Sequence, residues 1–319
     1  VQGASGVAKD LAKMSSKSAV KRLAPDNNGG LFRWVAVLTG SKNAVKGAGF
    51  LLGAVLLGSF GFVGAVLGMA LVLMVILLAL LVVLPPWRAG VLSAGRPQAK
   101  FSDVFSRSRN INWLSGARVF LFGARDVWFV VGIPIYFYAV LSDGTEAANR
   151  TAFFLIGGFM AAWIILYGLV QASAPRLLRA ETSAEAALVG SARTWAWALC
   201  VVPAVLALAA FALPVAHPVL TAALVAGLLV FGGVFAVNSS LHSFLVLRFS
   251  RSEDVTMDVG FYYMANAGGR LLGTALSGLT YQVGGLGLML ATAAVMVGLS
   301  ALAAGRLRVE PAPDRSSPA

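Results

Sequence analysis

Long apolar segments separated by short polar stretches run through almost the whole chain. About twenty apolar residues are enough to cross the hydrocarbon core of a bilayer. Glycines at 61 and at 284 and 285 interrupt two of the longest apolar stretches and indicate tight turns there. The pattern therefore predicts eight membrane-spanning helices, at 34–60, 63–84, 111–141, 151–175, 192–213, 219–247, 257–283 and 286–305.

Residues 1–23 have a different pattern. Lys9, Lys13 and Lys17 are spaced four apart and form a lysine stripe on one face of a helix. Hydropathy alone predicts an amphipathic or interfacial helix here. The chain opens VQGASG, without an initiator methionine or a signal peptide, so we expect that an N-terminal part is missing.

The longest hydrophilic connection, residues 86–110, is the natural boundary between two halves. Six predicted spans follow it, which is half of a transporter built from two six-helix bundles. We therefore expect a membrane-embedded part over 1–85, a central loop over 86–110, a six-helix bundle over 111–306 and a disordered tail over 307–319.

Composition agrees with an all-α polytopic membrane protein. The mean hydropathy is +0.82, 58% of the residues are hydrophobic and only 12% are charged. The net charge of +12 does not require a nucleic-acid partner, because membrane proteins concentrate Lys and Arg in their cytoplasmic loops. The single cysteine, Cys200, lies in an apolar stretch and is expected to be a packing residue.

The distribution of basic residues predicts the orientation. The loops 21–33, 86–110, 176–191 and 248–256, together with the tail, hold 15 of the 25 Lys and Arg residues, whereas the opposite loops hold only Arg150. The positive-inside rule places the first group, and the C-terminus, in the cytoplasm.

One predicted span carries charges that lipid would not tolerate. Arg118 and Arg125 are two helical turns apart and share a face, and Asp126 adjoins Arg125. A charge at this depth usually faces a cavity or a partner. The other basic residues within the segments, apart from Arg193 near a cytoplasmic end, are Lys9, Lys13, Lys17, Lys42, Lys46 and Arg270.

Acidic residues within the segments are few: Asp10, Asp126 and, near one end, Asp258. The excess of buried positive charge favours an anionic substrate, held between a wall of lysines and a wall of arginines. The alternative is a structural role, in which Arg125 pairs with Asp126 or Asp258 and only joins helices.

Two further groups of polar residues interrupt apolar helices. Arg270 follows Asn266 by one turn and Tyr262 and Tyr263 by two, which is typical of a ligand-facing stripe. In the stretch NSSLHS, Asn238 and His242 share a face. His242 is a candidate proton relay, and the alternative is hydrogen bonding between helices.

Sequence motifs of catalysis are not found. The chain has no phosphate-binding loop of the type GxxxxGK[ST], no HExxH and no GxSxG, and its two histidines and one cysteine do not make a metal site. We therefore expect neither an enzyme nor a bound cofactor.

Five segments resemble the ArsJ-type organoarsenical efflux permeases of the major facilitator superfamily. They extend from residue 6 to about 287 and are GVAKDLAKMSSKSAVKRLAP, WVAVLTGSKNAVKGAGFLLG, ARVFLFGARDVWFVV, LVFGGVFAVNSSLHSFLV and DVGFYYMANAGGRLLGTALSGLTYQVGGL. The resemblance implies a twelve-helix fold of which this chain covers helices four to twelve, with 1–23 as the fourth span.

The family exports 1-arseno-3-phosphoglycerate, which a glyceraldehyde-3-phosphate dehydrogenase forms when it uses arsenate in place of phosphate. The resemblance thus implies an efflux transporter of the inner (plasma) membrane that confers arsenic resistance in partnership with that dehydrogenase. We expect it to act as a monomer. The candidate substrate-binding residues are Lys9, Lys13, Lys46, Arg118, Arg125, Tyr263, Asn266 and Arg270, and the candidates for proton coupling are Asp10, Asp126 and His242.

Two alternatives stay open at this point. One is an exporter of another sugar phosphate or organic anion, which the cationic interior would also suit. The other is a membrane subunit that does not transport, in which every buried arginine would be paired with an acid.

Overall fold

The computed structural model describes residues 28–83, 106, 108–180, 182–250 and 255–309, and within these ranges every regular element is helical. The predicted all-α class is confirmed for them. The helices are α1 (Asn28–Val83), α2 (Arg109–Asp126), α3 (Ile133–Leu141), α4 (Glu146–Leu177), α5 (Glu185–Ala212), α6 (Pro218–Phe249) and α7 (Val255–Ala304), with a π-helical segment, Val127–Gly132, between α2 and α3.

Six helices in the described ranges are long and apolar enough to cross a membrane. The chain is thus a multi-pass membrane protein. The predicted span at 1–23, most of the central loop at 86–110 and the tail beyond residue 309 lie outside the described residues.

The longest helices, α1 and α7, are each divided by a glycine. Gly61 has φ 66° and ψ −178°, and Gly285 has φ 60° and ψ −156°. Only glycine adopts this backbone conformation without strain. Both interruptions lie where the sequence predicts the chain to turn between spans.

The two halves of α7 form a hairpin against α2. Ser300, in the second half, donates a 2.8 Å hydrogen bond to the carbonyl of Ala117, while Gly269, in the first half, lies directly against the backbone of Val119. Both halves therefore flank the same turn of α2. The first half runs parallel to α2 and the second half runs antiparallel to it, and both halves contact Gly123 of α2.

The helix type changes ahead of Pro134. The segment Val127–Gly132 is π-helical and joins α2 to α3, whose second residue is Pro134. Proline has no N–H and its ring crowds the carbonyl four residues earlier. The π-helical turn before Pro134 is wider than an α-helical turn and accommodates both the missing N–H and the crowded carbonyl. Asp126 directly precedes this turn.

The helix ends separate into two groups. One hydrophobic cluster gathers Ile111, Leu188, Leu247, Val255 and Ala304, which are all close to helix ends that adjoin predicted basic loops. At the opposite end, the Tyr136 hydroxyl donates to the carbonyl of Val215 at 2.7 Å. The loops that the charge distribution groups together thus lie together.

Helix boundaries differ from the hydropathy prediction by several residues. α4 begins at Glu146 rather than 151, because the Thr145 side chain accepts a hydrogen bond from the Ala148 N–H and caps the helix in water. α5 begins at Glu185 rather than 192. Hydropathy locates the apolar part of a helix, whereas a helix such as α4 begins where a side chain caps it.

Candidate functional site

Arg118 lies in the centre of the bundle, with a side chain that is only 4% exposed. Its Nε donates to Asn266 Oδ1 at 3.0 Å, and its Nη1 donates to the Ser239 hydroxyl at 3.0 Å and to the Ser239 carbonyl at 3.4 Å. These partners come from α7 and α6. All of them are neutral, so the charge of Arg118 is solvated by dipoles and is not cancelled.

Two turns along α2, Asp126 joins two arginines. Its Oδ1 accepts from Arg125, with Nε at 2.7 Å and Nη2 at 2.6 Å, and its Oδ2 accepts from Arg270 Nε at 2.8 Å. The carboxylate is fully buried. The structural alternative names two possible acids for Arg125, and the pairing found is the one with Asp126. The other acid, Asp258, lies near the start of α7 and accepts a 2.6 Å hydrogen bond from Ser106.

Aromatic rings separate and frame the guanidinium groups. The Phe122 ring centroid lies 3.8 Å from Arg118 Cζ and 4.7 Å from Arg125 Cζ. Tyr262 is 4.9 Å from Arg118 and Phe235 is 5.5 Å from Arg125. Ring faces attract cations, by up to ~2 kcal/mol when the pair is desolvated. Phe122 thus holds two positive charges close together.

Close helix packing brings α7 to this position. A β-carbon on Gly269 would collide with the backbone of Val119, and one on Gly273 would collide with the backbone of Gly123. Small residues allow such approach between membrane helices. With the helices in contact, Asn266 and Arg270, one turn apart on α7, come beside Arg118 and Asp126, two turns apart on α2.

The charges of this group do not balance. In the described part of the chain it contains three guanidinium groups, on Arg118, Arg125 and Arg270, and one carboxylate, on Asp126. Burying a charge without an opposite charge is unfavourable by several kcal/mol. Because Arg118 is buried and no carboxylate among the described residues pairs with it, the group can accept an anion.

Asn238 and His242 lie one turn apart on α6 and are fully buried. Neither the Asn238 amide nor the two His242 ring nitrogens make a hydrogen bond within the described residues. Within the stretch NSSLHS, the hydrogen bonds to other helices are made by the two serines: Ser239 accepts from Arg118 and Gln171, and Ser240 donates to the carbonyl of Gln171. The proton-relay role of His242 stays a prediction.

The remaining predicted residues are placed as follows. Tyr263 packs edge-on against Tyr262, with ring centroids 5.7 Å apart, and it is Tyr262 that faces Arg118. Lys42 and Lys46 have exposed side chains on α1. Lys9, Asp10, Lys13 and Lys17 lie outside the described residues, so the lysine wall stays a prediction.

Only some glycines in the first half of α1 pack closely against another helix. A β-carbon on Gly47 would collide with Ile165 of α4, whereas Gly49 and Gly53 face open space. Sequence spacing shows that α1 can approach another helix, but it does not show which face does.

Two contributors to the site are not found by sequence reasoning. Gln171 of α4 is buried and its amide donates to the Ser239 hydroxyl at 3.4 Å. Its only sequence signal is that it is a polar residue within an apolar helix. Nothing in the sequence distinguishes Phe122 from the other phenylalanines of the apolar segments.

The fold and the site define an all-α, multi-pass membrane protein with an arginine-rich polar centre. Comparison with known proteins found no matching family model, no matching curated protein and no matching solved structure.

Proposed function

We propose that the chain is a secondary active transporter of the major facilitator superfamily that exports an anionic phosphorylated organoarsenical. The proposed substrate is 1-arseno-3-phosphoglycerate, and the proposed consequence is arsenate resistance. The protein would lie in the inner (plasma) membrane with its C-terminus in the cytoplasm. The family, the substrate and the location come from the resemblance of the sequence segments and from the distribution of basic residues.

The observation that carries the proposal is the unbalanced charge around Arg118. Three guanidinium groups face one carboxylate among the described residues, and Arg118 is 4% exposed with neutral partners only. Guanidinium groups bind phosphate and arsenate oxygens through paired N–H donors. An anion inside the bundle would supply the negative charge that the described residues do not supply to Arg118.

The same observation argues against a subunit that does not transport. That alternative requires every buried arginine to be paired with an acid. Arg125 satisfies it through Asp126, but Arg118 has no such partner among the described residues. Arg270 also pairs with Asp126, but its side chain is 46% exposed. An exporter of another sugar phosphate or organic anion is compatible with the same charges, and only transport measurements separate it from the proposed function.

The test uses arsenic-sensitive cells that express the protein with every N-terminal span its gene encodes, with and without the dehydrogenase. The proposal predicts arsenate tolerance only when both are present. Tolerance with the transporter alone would indicate export of arsenate or another arsenical. No tolerance in either case, with the protein shown to be in the membrane, would remove the substrate from the proposal.

Two variants test whether arsenate tolerance depends on the arginines of the site. Arg118→Ala and Arg270→Ala are expected to abolish tolerance at normal expression. Arg248→Ala is the matched control, because Arg248 is exposed and pairs with Glu185 at a helix end, with Nη2 2.6 Å from Oε2. Unchanged tolerance in both site variants would contradict the assignment.

A further inference from the structure

The carboxylate of Asp126 lies behind the two arginines that it joins. The Asp126 side chain is 1% exposed, whereas that of Arg125 is 15% exposed and that of Arg270 is 46% exposed. A solute that reaches this group therefore meets the guanidinium groups first. The acid is on the protein side of them.

Asp126 occupies only part of the donor capacity of its partners. Arg270 uses its Nε, and its two terminal nitrogens donate to no group in the described ranges. Arg125 uses Nε and one terminal nitrogen, both on Oδ1. A guanidinium has five N–H donors in a planar fork. Donors on both arginines thus remain for a second acceptor.

Two guanidinium groups repel each other, and they come from different helices. The shared carboxylate opposes this repulsion by binding one arginine through each oxygen. An incoming anion is not expected to displace it, because a buried carboxylate without partners is strongly unfavourable. Asp126 is therefore a fixed part of the site and not a competitor for it.

We infer that Asp126 is a positioning residue that holds Arg125 and Arg270 as a clamp for one tetrahedral oxyanion, such as a phosphate or arsenate group. The inference rests on the proposed function, because it assumes that the bundle binds an anion. It adds which arginines hold the tetrahedral group, and it gives Asp126, the one acid that the described residues place in the site, a role in binding an anion.

The direction in which one substitution changes the affinity for anions distinguishes a positioning role from a simple effect of charge. Asp126→Asn makes the site more positive by one unit, so a competing or merely repelling carboxylate predicts tighter anion binding. A positioning carboxylate predicts the opposite, since the arginines would move apart. We expect Asp126→Asn to bind inorganic phosphate and 3-phosphoglycerate about tenfold more weakly, a change that titration calorimetry resolves readily.

The titrations use the purified full chain in detergent, with unfolding midpoints measured for every variant. Glu185→Gln is the matched control, because it removes one carboxylate from an arginine pair at a helix end, and its affinity should equal that of the wild type. Asp126→Glu keeps the charge but moves it by one methylene, so it should bind with intermediate affinity. Wild-type affinity in Asp126→Glu would overturn the inference even if Asp126→Asn does not fold.

A double substitution adds a readout that a loss of stability would not produce. Arg270→Gln should weaken phosphate binding less in the Asp126→Asn background than in the wild type, because the two residues act as one unit. Equal effects in both backgrounds would overturn the positioning role.

The outcomes also separate the inference from the proposed function. If the wild type binds neither probe, the anion site fails and the inference fails with it. If the wild type binds and Asp126→Asn binds as tightly or more tightly, only the inference fails. Binding in detergent that disappears in phosphatidylglycerol nanodiscs would assign the clamp to a lipid headgroup and overturn a transported anion as its occupant.

Discussion

Two membrane segments of this chain, the second half of α1 and the helix α2 with its continuation to residue 141, are opposite in character. The segment Ser59–Ala79 is the most apolar of the six candidate spans, yet only 6% of its apolar 18-residue window is buried inside the protein. The segment Arg109–Leu141 is the least apolar, and 61% of its apolar 18-residue window is buried. The segment that carries the charges is thus the one that the protein encloses.

The comparison shows which properties a helix needs when it faces lipid and which it needs when it carries charges. A lipid-facing helix needs an apolar surface and little else, and Leu73, 66% exposed, is typical of that half of α1. A helix that carries Arg118 and Asp126 must be enclosed by other helices that supply partners. Hydropathy therefore identifies a segment that crosses the membrane but not its place in the bundle.

The largest expected effect comes from breaking the enclosure of α2. Gly269→Val places a side chain against the backbone of Val119, so α2 and α7 must separate. We expect loss of most of the folded protein, beyond the ~1–3 kcal/mol that is typical of overpacking. Gly268→Val is the control, because Gly268 faces open space. Fluorescence-detected gel filtration measures both, and equal yields would contradict the close contact.

Substituting one leucine in each of the two segments compares how tightly the segments are packed. Leu121 in α2 is fully buried, whereas Leu73 is exposed. Leu121→Ala should destabilise the protein by about 2–5 kcal/mol because it leaves a cavity, and Leu73→Ala should change stability by less than about 0.5 kcal/mol. Unfolding midpoints in detergent give the comparison. Similar shifts for both variants would show that the second half of α1 is packed as tightly as α2.

The two segments should also differ in how an arginine affects membrane insertion. Leu73 is 66% exposed within an apolar candidate span, so a lipid-facing position is expected for it, and Leu73→Arg should make insertion less favourable by roughly 2.5–3.5 kcal/mol. The native Arg118 has polar partners on two helices, and Arg118→Met should leave insertion unchanged. Glycosylation-site mapping of inserted protein measures both. Efficient insertion of Leu73→Arg would contradict a lipid-facing position.

The smallest effect is expected for a charge in water. The backbone N–H and then the hydroxyl of Thr145 donate to Asp143 and hold the pKa of its carboxyl below the usual range. A lowered pKa means that the turn gains stability above the ordinary pKa of aspartate and loses it as the pH falls through the folded-state value. Thr145→Val removes the hydroxyl and should raise the pKa of Asp143 in an NMR titration. An unchanged value would contradict the hydroxyl contribution.

The sequence was sufficient for the all-helical class and for the candidate charges of the described residues. Apolar length predicts most of the spans, although the predicted span at 34–60 is not among the six candidate spans of the described ranges. Gly61 and Gly285 predict the interruptions, because no other residue adopts a positive φ so readily. The charges within the spans of the described part are visible as exceptions to the pattern. Each of these inferences uses only neighbouring residues.

The partners of those charges could not be predicted. Arg118 bonds to residues 121 and 148 positions away, and Arg270 reaches Asp126 across 144 positions. These contacts depend on which faces of α2 and α7 meet. That choice depends on Gly269 and Gly273 packing against α2, whereas Gly49 and Gly53, equally suitable in sequence, face open space.

The central claim is that the positive charge inside the bundle binds and moves an anion. Its most direct test is uptake of radiolabelled 3-phosphoglycerate, a stable anion with the carbon chain and phosphate of the proposed substrate, into proteoliposomes. The account predicts uptake by the wild type and by Leu73→Met, and none by Arg118→Met at equal protein content. Uptake by Arg118→Met at the wild-type rate would contradict it.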